Sequence, residues 1–111
     1  MAGWNYIKGE SGFDRPIIVF EKGKIKGFDA TGVTAVTYTI IESDLTATTP
    51  VISDVATTVD VVNPLRVLVA VDATGNTVPQ TPNSYIVQFK VTIGATEIRK
   101  TFELDLRVFN G

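Results

Sequence analysis

The chain has no cysteine and no histidine. Zinc sites of the Cys/His type, haem ligation, thiol nucleophiles and every Ser-His or Cys-His arrangement are therefore excluded. A disulfide-stapled fold is excluded with them. Long apolar runs are missing too. The longest stretch, around Val67 to Val71, is far too short to cross a bilayer. The opening Met-Ala-Gly-Trp has neither a basic nor an extended apolar region, so no secretory leader and no membrane partner are expected. An excess of positive charge is also absent. Ten Lys plus Arg stand against twelve Asp plus Glu, a net charge of −2 with a pI near 5.0, which leaves no field to steer the chain to nucleic acid.

What remains is a chain of 111 residues with 44% apolar content. That length suits one domain with a single core. Fifteen threonines and abundant valine favour extended backbone, and period-two alternation dominates from Pro16 onward. In "VTAVTYTII", Val36, Tyr38 and Ile40 share a face. "VISDVATTVDVV" alternates through Val55, Thr57, Val59 and Val61, with a bend expected near Asp54. "LRVLVAV" is a further strand, and "DATGNTVPQTPNS" is a long loop. In "YIVQFKVTI", Tyr85, Val87, Phe89, Val91 and Ile93 share a face. After the "GAT" turn, "IRKTFELDLRVF" places Ile98, Phe102, Leu104, Leu106 and Val108 together, a hairpin with one wet face. About seven such strands predict an all-β, immunoglobulin-like antiparallel sandwich, with a small β-barrel as the alternative. The expected division is an N-terminal arm over residues 1–15 and a sandwich over 16–111.

Candidate reactive groups are few. Glu42 with Asp44, and Glu103 with Asp105, are possible acid and base pairs. A catalytic acid needs burial to raise its pKa, however, and the second pair shares a wet strand face flanked by Arg99 and Arg107. These read as solvated strand charges, and no enzymatic activity is expected. Oxygen ligands gather in Asp72-Ala-Thr-Gly-Asn76, but the calcium spacing is absent. The expectation there is a turn in which Asp72 bonds its own backbone and Gly75 supplies a positive φ. Lys22, Lys24 and Lys26 would share a face if extended. They read as a guard on an edge strand rather than a phosphate stripe. No metal and no cofactor site is expected.

The aromatic residues at the start lie outside this pattern. "WNYIKGESGF" places Trp4, Tyr6, Ile7 and Phe13 before the alternation begins. Three dockings are open: back over the chain's own sandwich, onto a neighbouring subunit as an assembly arm, or exposed as a platform for a carbohydrate. In the first two, apolar anchors of this size dominate the contact energy. Removing residues 1–15 is expected to leave the sandwich folded and to weaken assembly.

Two segments carry a resemblance. "GFDATGVTAVTYTI" contains Asp29, Thr31 and Gly32 opening a strand. "NSYIVQFKVTIGATEIRKTFEL" contains Tyr85, Phe89, Val91, Thr92 and Gly94. Together they resemble the immunoglobulin-like N-terminal domain of phage baseplate upper proteins and related small tail and head-associated modules, over roughly residues 16 to 106. The resemblance implies a non-enzymatic structural protein of a tailed-phage virion, made in the host cytoplasm. It implies a homo-oligomer that also meets other virion proteins, in the baseplate or tail or as a capsid decoration. A carbohydrate-binding module for adhesion is the alternative.

Overall fold

The structure, a computed structural model, describes residues 3–19, 28–43, 49–60, 64–100 and 103–111. Among these residues run nine strands: β1 (Gly3–Ile7), β2 (Phe13–Ile18), β3 (Val33–Glu42), β4 (Ile52–Ala56), β5 (Thr58–Asp60), β6 (Arg66–Val71), β7 (Asn83–Ile93), β8 (Glu97–Lys100) and β9 (Leu104–Phe109). The larger sheet has the order β1-β9-β7-β3-β4, with β8 also paired to β7, and the smaller sheet is β2-β6-β5. Among the described residues the two sheets are hydrogen-bonded separately and each keeps two edges, so the architecture is a sandwich rather than a closed barrel.

Alternation decides what each strand buries. Val36, Tyr38 and Ile40 of β3 and Tyr85, Val87, Phe89 and Val91 of β7 meet Val67, Val69 and Val71 of β6 in one core. Pro16 lies in β2 at an edge of the smaller sheet, where its missing N–H breaks no ladder. The connectivity matches an immunoglobulin-like sandwich, with β2, β6 and β5 forming one sheet against β9, β7, β3 and β4. A tyrosine corner supports it: near the start of β7 the Tyr85 hydroxyl donates to the Thr81 carbonyl at 2.7 Å.

Four features depart from the sequence expectation. The larger sheet is mixed, because β1 runs parallel to β9. The strands outnumber the expected seven. The arm boundary after residue 15 falls inside β2, and residues 3–7 are a strand of the larger sheet. Finally, Ile98 is not on the buried face but is 58% exposed. Its strand is broken: β8 pairs Thr92 with Ile98, whereas β9 pairs Val87 with Leu104, a register one residue apart. A one-residue shift turns every side chain to the other face. Phe102 lies outside the described residues.

The bend expected near Asp54 is a bulge. Pairing jumps from Tyr38↔Val55 to Ile40↔Ile52. Among the described residues Asp54 is the one non-glycine with positive φ, at 50°. Its N–H donates to Thr39 Oγ1 at 3.2 Å. The chain then leaves the larger sheet at Thr57, whose N–H and hydroxyl both donate to the Val36 carbonyl. Asp tolerates the left-handed region and β-branched residues do not. Asp54→Val is thus expected to lower stability by about 1–2 kcal/mol, and Asp54→Gly to leave it unchanged or raise it. Urea unfolding midpoints of the two variants check this.

Candidate interaction surface

All three tyrosines anchor loops at one end of the sandwich. Tyr38 donates to the Thr77 carbonyl at 3.0 Å, and Tyr6 donates to the Glu10 carbonyl at 2.8 Å. Tyr85 forms the corner described above. Gln80 ties these loops together. Its Nε2 donates to the Tyr6 hydroxyl at 3.0 Å and to the Val78 carbonyl at 3.1 Å, and its Oε1 accepts from the Gly9 N–H at 3.2 Å. The loop 72–82 is thereby fixed to β3, β7 and the turn after β1. Burial pushes the Tyr38 hydroxyl well above its ordinary pKa, with a further push from the Asp72 charge. Tyr85 is raised by burial and then by Glu42. Neutral hydroxyls that donate to carbonyls serve structure, not proton transfer near neutrality.

The carboxylates also turn inward on their own loops. Asp72 accepts from the Thr74 hydroxyl at 2.6 Å and from the Thr74 N–H at 3.0 Å, which hold its pKa below the ordinary value. Gly75 has a φ of 86°. This is the turn expected from the sequence. Asp29 is lowered in the same way, by the Thr31 N–H at 2.9 Å and then by the Thr31 hydroxyl. Glu103 accepts from Gln88 at 3.2 Å, while Arg99 pairs with Glu97 at 2.6 Å. Three of the four charges expected to flank one another thus have other partners, since Arg107 lies over the Phe109 ring, 5.7 Å from its centroid. Asp44 and the lysines at 22, 24 and 26 lie outside the described residues.

The four arm residues split into two pairs. Trp4 is 3% exposed and Tyr6 1%; they alternate inward from β1 and pair in register with Leu106 and Val108 of β9. The docking is therefore onto the chain's own sandwich, and neither ring offers an open face on which a pyranose could stack. Ile7 points outward, 49% exposed, whereas Phe13 pairs with the buried Val71 on the core-side face of the edge strand β2 and stays 42% exposed. Ile7 is paired directly with Phe109, itself 43% exposed. Outer positions of β9 carry Asp105 and Arg107 before Phe109, and outer positions of β1 carry Gly3 and Asn5 before Ile7. Both strands thus switch from polar to apolar on their wet face at the same end. That switch was readable in the sequence, but only the parallel pairing of β1 with β9 brings the two residues together.

The result is a small apolar strip at the sheet edge: Ile7 and Phe109 side by side, with an arginine over the phenyl ring. The Lys8 N–H donates to the Phe109 carbonyl at 2.9 Å and the Gly12 N–H to the Val71 carbonyl at 3.0 Å, which clamp both ends of the turn between β1 and β2. No protein-family model, no curated protein and no solved structure matches the chain.

Proposed function

We propose that this chain is a non-enzymatic structural module of a tailed-phage virion, acting by protein–protein association at the tail, baseplate or capsid surface. The observation that carries the association is the paired, outward Ile7 and Phe109 on the edge of the larger sheet. The virion setting rests on the resemblance of two sequence segments, and their turns adjoin in space. The Gly94 N–H donates to the Gly32 carbonyl at 2.9 Å, and the Thr34 hydroxyl donates to the Gly94 carbonyl at 2.9 Å. The tyrosines and the two low-pKa carboxylates support a structural role, since each is committed to holding a loop.

The test is the mass of the purified chain by light scattering across a concentration series, with wild type and Phe109→Asp side by side. Self-association that weakens at least about tenfold in Phe109→Asp is expected, because a buried phenyl is replaced by a desolvated charge. A wild type that stays monomeric throughout, or a variant that associates equally well, overturns the self-association. Gene neighbours encoding capsid, portal or tape-measure proteins are the expected setting, and a setting among unrelated metabolic genes overturns the virion assignment.

A further inference from the structure

We propose that Asn110 is a site of spontaneous deamidation, at which the Gly111 backbone nitrogen closes on the Asn110 side chain and leaves aspartate or isoaspartate. The site stands independently of the self-association proposed above, since it needs one copy only.

The chemistry is an intramolecular acyl substitution. The Gly111 nitrogen loses its proton to solvent base and attacks Cγ of Asn110. An N–Cγ bond forms, the Cγ–Nδ2 bond breaks, and the amide nitrogen leaves as ammonia. Water then opens the five-membered imide at either carbonyl. One opening gives aspartate and the other isoaspartate, in which the chain runs on through the former side-chain carbon. Closure is fast only where the following peptide can swing onto the side chain and its nitrogen is unbonded and uncrowded.

The fold separates the five asparagines by these requirements. Asn5 lies within β1, and the residue after it, Tyr6, is 1% exposed and paired with Val108. Asn83 and Ser84 pair with Val108 and Arg107, and Asn83 Oδ1 accepts the Ser84 N–H at 2.8 Å, which keeps the proton on the nitrogen that would attack. Asn76 precedes the β-branched Thr77, whose hydroxyl accepts from the Asp72 N–H at 3.2 Å and whose carbonyl accepts from Tyr38 at 3.0 Å. Asn63 precedes Pro64, which has no N–H to lose.

Asn110 meets every requirement. It follows the end of β9 and is exposed. Among the described residues, neither its side chain nor the Gly111 N–H takes part in a hydrogen bond. The fold also demands the residue that hinders closure least. A side chain at 111 would place its Cβ 2.6 Å from the Lys8 carbonyl oxygen, so glycine is required there for packing. Each conversion adds one negative charge to the net −2 of the chain, directly after Phe109 at the sheet edge. The isoaspartate form also inserts a backbone carbon where Gly111 abuts Lys8.

The test holds freshly purified protein warm in mildly alkaline and in mildly acidic buffer and follows it by intact mass and peptide mapping. Each event replaces ammonia by water, a gain of about one dalton. The expected gain is confined to the peptide holding Asn110, contains isoaspartate as well as aspartate, and is faster in the alkaline buffer because the attacking nitrogen must lose its proton. Conversion at Asn110 is expected to be at least roughly tenfold faster than at any other asparagine of the folded chain. Asn110→Gln, whose longer side chain closes a less favourable ring, is expected to abolish the gain. In guanidinium chloride, with the ladder gone, Asn83 beside the small Ser84 is expected to convert as well. No gain at Asn110 in the folded chain overturns the site. Equal rates at Asn110 and Asn83 while folded overturn the protection assigned to the strands.

Discussion

Trp4→Ala lowers the unfolding free energy by about 3–5 kcal/mol, the range for deleting a buried large side chain. An indole removes on the order of 200 Å² from water, and Trp4 is 3% exposed within a core that also includes Leu106 and Val108. The same argument reverses the expectation that residues 1–15 are dispensable. Their removal takes away β1 and the first half of β2, leaving the core faces of β9 and β6 open to water. Urea unfolding of Trp4→Ala, followed by circular dichroism, checks the magnitude. A loss below about 1 kcal/mol, typical of surface changes, means that the indole is not packed where the structure places it.

The second large effect is alkaline. The Tyr38 hydroxyl is raised above its ordinary value of 10.0 chiefly by burial and secondarily by the Asp72 charge. Below pH 10 the phenol is neutral in both the folded and unfolded chain, and its contribution is fully present. As pH rises past 10 the unfolded chain releases this proton while the folded chain keeps it. The folded state then binds more protons, so stability falls with pH until Tyr38 reaches its own raised value. The slope from Tyr38 is about 1.4 kcal/mol per pH unit. Tyr85 adds a smaller share in the same direction, raised by burial and by Glu42. Urea midpoints measured from neutral pH to above 10 are expected to decline steeply in the wild type. Tyr38→Phe is expected to decline less and to be about 1 kcal/mol less stable near neutrality, having lost the bond to the Thr77 carbonyl. Equal slopes in the two proteins assign the alkaline loss to other groups.

The strands of the core were legible because alternation with period two is a local property. Val36, Tyr38 and Ile40, and Tyr85 through Val91, could face only one way once the backbone was extended, and the core lies there. The turns at Asp29 and Asp72 were legible for the same reason, since each closes through a side chain two residues from its partner. Ile98 was not. Its face depends on a one-residue slip between β8 and β9 that local patterning does not record.

Sequence alone determined the class of the molecule: an extended, all-β chain without thiol or imidazole chemistry, in which large apolar residues near the start had to find cover. Tertiary structure alone decided which cover. The parallel pairing of residues 3–7 with the last strand buried Trp4 and Tyr6, and turned Ile7 outward beside Phe109. Segments a hundred residues apart in the chain meet by register rather than by any local preference, so the strip they form exists only once the sandwich has closed.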